Sequence, residues 1–76
     1  MPEKHLSSQF DSELNSVSAR VMELGGLVES QLLNAIHALT HFSDETADRV
    51  IQTEDRVDSM EVQIDHDLSS IIARRQ

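Results

Sequence analysis

Hydrophobic residues recur every three or four positions along this chain, a spacing typical of amphipathic α-helices. In the first half, the spacing continues for more than four heptads and forms a stripe suited to a partner helix. The predicted members of this stripe are Phe10, Leu14, Val17, Val21, Leu24, Val28, Gln31, Ala35, Ala38 and Phe42. Apolar and polar residues never alternate as they do in strands, so the pattern predicts an all-α chain.

A turn is predicted near residues 42–45. Ser43 suits a helix N-cap, and Asp44 and Glu45 suit the positive end of the helix that follows. A connection this short joins antiparallel neighbours. The sequence therefore predicts a long antiparallel helical hairpin with two arms of about 30 residues, each about 45 Å long. Ser7 or Ser8 is the predicted N-cap of the first arm.

The two glycines of the chain are adjacent, Gly25 and Gly26. They could end one helix and begin another, because each costs about 1 kcal/mol relative to alanine inside a helix. The stripe nevertheless keeps its phase from Val21 through Leu24 to Val28. We therefore favour one continuous helix with an open position at Gly25, where another backbone could come close.

Two amphipathic helices cannot cover both of their apolar stripes with each other alone. The remaining apolar surface calls for a third helix or a second copy of the chain. We therefore expect self-association into a homodimer or higher homo-oligomer that completes a bundle.

Four acidic residues of the second helix lie in one row along its surface. Glu54, Asp58, Glu61 and Asp65 follow the spacing 4, 3, 4. They fall within an apolar arc and not opposite it, and that arc comprises Val50, Ile51, Val57, Met60, Ile64, Leu68, Ile71 and Ile72. Like charges in such a row destabilise an isolated helix by a few tenths of a kcal/mol per neighbouring pair.

Two interpretations of the acidic row are open. Carboxylates grouped in a partly apolar setting can bind a metal ion, and oxygen ligands favour iron, manganese or magnesium. One helix supplies only part of a coordination sphere, so further ligands must come from another helix or chain. Alternatively, the row is solvated or paired with arginines of a neighbour, and spacing alone favours this interpretation.

Charge and composition narrow the range of partners. The 76-residue chain has a net charge of −8, 14 acidic residues, 6 scattered basic residues and no cysteine. A nucleic-acid-binding protein needs a basic stripe, and none is present. No apolar run approaches the roughly 20 residues needed to cross a bilayer, and no signal-peptide core follows the charged start, so we expect a soluble chain without direct membrane insertion. The absence of cysteine fits a cytoplasmic location, which the family resemblance described below also implies.

Catalysis is not expected from this sequence. His37 and His41 have a zinc-compatible spacing but lie opposite the apolar stripe, so we expect them to be surface residues. A ferritin-like metal enzyme would need Glu three positions before His, whereas Ala38 precedes His41 and Gln63 precedes His66. The remaining alternative is a purely structural helical oligomerisation module without metal.

Three segments resemble the N-terminal region of the PhoU family of bacterial phosphate-transport regulators. They are HLSSQFDSEL (His5–Leu14), LGGLVESQLLNAIHAL (Leu24–Leu39) and RVIQTEDRVDSMEVQIDHDLSSIIARRQ (Arg49–Gln76). Members of that family consist of two three-helix bundles, and their Glu-x-x-x-Asp motifs are associated with metal clusters. Glu61 and Asp65 match that motif, and Asp58 and Glu54 match acidic positions one and two turns earlier.

The resemblance implies a partial domain and a regulatory role. Residues 1–76 correspond to the first two helices of the first bundle, with the third helix and its partner motif absent. The implied function is negative regulation of the phosphate-starvation response and of phosphate uptake. The implied partners are the ATPase of the phosphate transporter and the phosphate-sensing histidine kinase.

Overall fold

The chain folds into two antiparallel α-helices joined by two residues. A computed structural model describes the backbone of residues 2–75 and the side chains of residues 8–75. Helix α1 spans Pro2–His41 and helix α2 spans Asp44–Arg75, and the hairpin measures 60 × 16 × 13 Å. The predicted all-α hairpin is confirmed. Helix α1 begins at Pro2, so the prediction of an N-cap at Ser7 or Ser8 is wrong.

The turn is built from local hydrogen bonds. The Ser43 amide donates to the carbonyl oxygen of Ala38 at 3.0 Å, and Phe42 has a φ of 52°, which together end α1 in a left-handed cap. The Ser43 hydroxyl then accepts a hydrogen bond from the Thr46 amide at 3.2 Å. Ser43 is therefore the N-cap of α2, as the sequence predicted.

The glycine pair does not interrupt α1. Gly25 and Gly26 lie within the continuous helix, and neither has a positive φ. A Cβ atom added at either position would meet no other atom within 4 Å. The prediction of one continuous helix is confirmed, and the hairpin alone gives no steric reason for glycine at these positions.

The stripe of α1 that contacts α2 differs from the predicted one. Leu14, Val21 and Val28 are 36%, 46% and 44% exposed, and Phe42 is 90% exposed, so these four members of the predicted stripe are not covered by α2. The stripe includes the charged residues Glu13 and Arg20, because their long side chains pack along the interface and form ion pairs with α2 at its edge. Its buried and half-buried members are Phe10, Glu13, Val17, Arg20, Leu24, Leu27, Gln31, Ala35 and Ala38.

Helix α2 buries a single stripe along its whole length. Its buried and half-buried members are Thr46, Ala47, Val50, Thr53, Val57, Met60, Ile64, Asp67, Ser70 and Ile71. Ile64 and Ile71 form the centre of the core with Val17 of α1, and Phe10 and Leu24 pack against them. The predicted apolar arc is thus divided, because Ile51, Leu68 and Ile72 lie outside this stripe and are exposed.

Candidate functional site

The two sides of the hairpin differ in chemistry. Each residue of an α-helix is rotated by about 100° from the residue before it. In an antiparallel pair, a residue that directly follows a buried stripe residue therefore points to the same side of the hairpin on both helices. Leu14 and Leu68 both follow stripe residues, and they line one shallow depression together with Ile72. We call the side that these residues occupy the open face and the opposite side the ion-paired face.

Three ion pairs join α1 to α2 on the ion-paired face. Arg74 contacts Glu13 through two hydrogen bonds, from Nη1 to Oε1 at 2.9 Å and from Nη2 to Oε2 at 2.8 Å. Arg20 Nη2 lies 2.6 Å from Asp67 Oδ2. Arg56 lies 3.7 Å from Glu23 in a looser pair. Three basic and three acidic side chains of this face are therefore paired with each other within the hairpin.

Asp67 is held in its charged form. Partial burial raises its pKa, but the hydrogen bond from Gln63, the positive charge of Arg20 and the neighbouring His66 together outweigh that effect. The pKa of Asp67 consequently lies below its ordinary value. Gln63 Nε2 donates to Asp67 Oδ1 at 3.1 Å from the preceding turn of α2.

The open face combines exposed apolar side chains with the acidic row. Its apolar members are Leu14, Val21, Val28, Leu32 and Leu39 of α1 and Ile51, Leu68 and Ile72 of α2. Scattered exposed apolar residues are normal on protein surfaces, but a continuous apolar face indicates an interaction site. The hairpin therefore exposes its large apolar side chains next to acidic ones on one side.

The acidic row runs along the α2 edge of the open face. Glu54, Asp58, Glu61 and Asp65 directly follow four stripe residues, Thr53, Val57, Met60 and Ile64. All four carboxylates are exposed, with Ile51 before the row and Leu68 and Ile72 after it. Among residues 8–75, none of the four forms an ion pair with a basic side chain.

The hairpin does not by itself gather these carboxylates into a metal cluster. Within the described part of the chain, no three acidic or histidine side chains are placed so that they could share one ion. Metal binding by Glu54, Asp58, Glu61 and Asp65 stays a prediction.

The histidine pair lies away from the open face. His37 and His41 are exposed, and their rings stack with centroids 4.1 Å apart. A ring nitrogen of His41 is hydrogen-bonded to the carbonyl oxygen of His37 at 3.1 Å. Both are surface residues, as the sequence predicted.

The sequence contains a signal for the ion-paired face that the hydrophobic pattern did not reveal. Glu13 and Arg20 are seven residues apart on α1, and Asp67 and Arg74 are seven apart on α2. An antiparallel pairing brings each acid opposite a base. Matching charges at heptad spacing would therefore have identified both pairs before the structure was known.

Neither described helix has a stretch long and apolar enough to cross a lipid bilayer. No solved structure gives a significant match to the chain. The family model described as the PhoU domain matches residues 21–76.

Three curated relatives show the extent of the similarity. A phosphate-specific transport system accessory protein PhoU homolog from a Burkholderia species is 47% identical over 76 residues, which is 100% of this chain and 32% of the relative. The phosphate-specific transport system accessory protein PhoU of Escherichia coli (strain K12) is 47% identical over 73 residues, which is 96% of this chain and 30% of the relative. The PhoU homolog of Pseudomonas aeruginosa is 39% identical over 72 residues, which is 95% of this chain and 30% of the relative. This chain spans about a third of the length of these relatives, and it belongs to the PhoU family.

Proposed function

We propose that this chain is part of a cytoplasmic negative regulator of the phosphate-starvation response and phosphate uptake, one that acts through protein contacts and not by catalysis. The observation that carries the proposal is the 47% identity to two relatives whose names state an accessory role in phosphate-specific transport. The open face supports a contact function because it exposes apolar side chains beside charged ones. By resemblance, the partners are the ATPase of the phosphate transporter and the phosphate-sensing histidine kinase.

A chimeric protein tests the regulatory proposal. In the Escherichia coli relative, the segment matched by this chain is replaced by the corresponding residues of this chain. The chimera is expressed in a strain that lacks its own copy, and a phosphate-starvation reporter is measured in high phosphate. We expect the chimera to restore repression to the level of the unaltered relative. A chimera present at normal abundance that leaves the reporter fully active would contradict the proposal.

The second part of the proposal is that the acidic row contributes ligands to a metal ion. Glu61 and Asp65 would hold the ion, with Asp58 one turn and Glu54 two turns earlier in the row. An oxygen-only donor set fits iron, manganese or magnesium and not a soft cation. The absence of ion pairs to these four carboxylates among residues 8–75 supports this part, because their charge has no partner within the hairpin. A bound divalent ion would offset two of the four negative charges of the row and join it to a neighbouring segment.

Calorimetry with manganese or ferrous ions tests the metal proposal on the same chimera. We expect binding that is lost in Glu61→Ala and Asp65→Ala. Asp55→Ala is the matched control, since Asp55 is an exposed acid of α2 outside the row. Equal binding in all three variants would contradict the assignment of these residues.

A purely structural oligomerisation module is the second candidate function. The large apolar side chains that α1 exposes favour it, because such a surface supports helix packing without any metal. The two candidates differ in the reporter assay. Repression by the chimera that persists in Glu61→Ala and Asp65→Ala variants without metal binding would favour a structural module within the regulator.

A further inference from the structure

Two histidines lie side by side on the last turn of α1. His37 and His41 are four residues apart, so the helix places them on the same part of its surface. Both are exposed, and their ring centroids are 4.1 Å apart. A zinc ion lies about 2.0–2.1 Å from an imidazole nitrogen, so one ion can span two nitrogens that are up to about 4 Å apart. The rings are therefore close enough to share an ion that arrives from water.

The hydrogen bonds around His41 show which of its ring nitrogens is protonated. Its Nδ1 atom lies 3.1 Å from the carbonyl oxygen of His37, which can only accept a hydrogen bond. It also lies 3.0 Å from the hydroxyl oxygen of Thr40, which donates its own proton to the carbonyl oxygen of Ile36 at 2.9 Å. Both neighbours of Nδ1 are thus acceptors, so Nδ1 donates and the neutral ring has its free lone pair on Nε2. Metal-binding histidines are commonly oriented in this way, by a bond from the other ring nitrogen to a backbone carbonyl.

His37 can turn to meet the same ion. Among residues 8–75, no side chain or backbone group forms a hydrogen bond to its ring nitrogens. The two ring planes are 20° apart, so a shared ion requires the His37 ring to rotate about its side-chain bonds. Because the side chain is exposed and its ring nitrogens have no such bonds, this rotation breaks only the stacking of the two rings.

The electrostatic surroundings favour a cation at this position. His41 is the last residue of α1, where the helix dipole is negative. The sequence has no lysine or arginine between Arg20 and Arg49, and the whole chain has a net charge of −8. The guanidinium of Arg49 is itself bonded to the hydroxyl of Thr46 at 3.2 Å. A divalent ion at the end of α1 would therefore meet little fixed positive charge along this part of the chain.

We propose that His37 and His41 form a binding site for a divalent transition-metal ion that prefers imidazole, namely nickel, copper or zinc. The two rings supply two ligands, and water completes the coordination. The site differs in chemistry and position from the acidic row, whose oxygen ligands suit harder cations. The inference rests on the geometry of the two rings and not on the regulatory role.

Calorimetry of the untagged 76-residue chain with nickel tests the site. We expect one ion to bind per chain. His37→Ala and His41→Ala should each raise the dissociation constant about tenfold or more, because the second imidazole binds intramolecularly at a high effective concentration. His66→Ala is the matched control, since it removes a single exposed histidine of α2, and it should leave nickel binding unchanged.

Nitrogen NMR of the histidine rings identifies the ligating atom. On addition of zinc, we expect the Nε2 resonance of His41 to shift while its Nδ1 stays protonated. No measurable nickel binding, equal nickel binding in the wild type and in both alanine variants at positions 37 and 41, or loss of the Nδ1 proton of His41 in the zinc-bound chain would each overturn the proposal.

Discussion

Gln31 and Val50 join the two helices through a buried hydrogen bond. The Nε2 atom of Gln31 donates to the carbonyl oxygen of Val50 at 2.8 Å, and Gln31 is only 9% exposed. A polar side chain inside an apolar interface is tolerated when its hydrogen bond is made. Because the donor must face one particular carbonyl group, this bond fixes the register of α1 against α2.

Removing the donor of Gln31 should destabilise the hairpin. Gln31→Glu keeps the shape of the side chain but places a carboxylate against the Val50 carbonyl oxygen. We expect the free energy of unfolding in urea at neutral pH to fall by about 2 kcal/mol. Gln52→Glu, which makes the same change at an exposed position of α2, should have little effect. A similar loss in both variants would show that added charge, and not the lost bond, is responsible.

The Arg20–Asp67 pair predicts a loss of stability in acid. The pKa of Asp67 is below its ordinary value in the folded chain, so its charged form stabilises the fold at pH values above the unfolded pKa of about 3.9. This contribution is lost as the pH falls through the lower, folded pKa. Unfolding free energies measured from pH 6 to pH 2 should therefore show the wild type approaching Asp67→Asn as the pH decreases. A difference in unfolding free energy between the two proteins that stays constant with pH would contradict this. Asp55→Asn, which makes the same change at an exposed position, is the control.

Phe42 occupies a backbone conformation better suited to glycine. Its φ of 52° lies in the left-handed region, and the side chain is too exposed to gain from packing within the hairpin. We expect Phe42→Gly to raise the unfolding free energy by about 1 kcal/mol. Phe42→Ala should give no such gain, because alanine meets the same steric restriction as phenylalanine. Equal stability of the glycine and alanine variants, measured by thermal unfolding, would argue against strain at this position.

The acidic row should destabilise α2 when no cation is bound. The double variant Asp58→Asn, Glu61→Gln removes all three neighbouring repulsions in the row. In the presence of a chelator and at low salt, we expect a gain of a few tenths of a kcal/mol for each repulsion removed. The gain should shrink at high salt. Glu29→Gln on α1, whose neighbours on the helix surface are not acidic, is the control and should give none.

The fold could be predicted well from local sequence signals. The turn depends on Ser43, which caps α2 through its own side chain, and such short-range bonds are visible in the sequence. The interface stripe of α1 could not be predicted as well. Apolar residues of α1 occupy more than half of the helix circumference, so periodicity alone does not show which edge α2 covers. The ion pairs that Glu13 and Arg20 form with α2 show which edge of α1 the second helix covers.

The candidate site was predicted in part. The row Glu54–Asp58–Glu61–Asp65 lies on one surface, as helical spacing requires, and Ile51, Leu68 and Ile72 accompany it. Val57, Ile64 and Ile71, which the sequence placed in the same arc, are buried against α1. Helical spacing locates residues on a face, whereas burial depends on the second helix. The further ligands that the proposed metal ion requires would come from outside the hairpin, so neither helical spacing nor burial within it predicts them.

The two-residue turn has a consequence for the order in which the hairpin forms. The bond from Gln31 to Val50 closes a loop of 19 residues, whereas the pair of Glu13 and Arg74 closes one of 61 residues. Short loops cost less entropy to close, so folding should begin at the tip and proceed like a zipper toward the termini. Native-state amide exchange should then show the reverse order, with protection lost first at the open end of the two helices and last beside the turn.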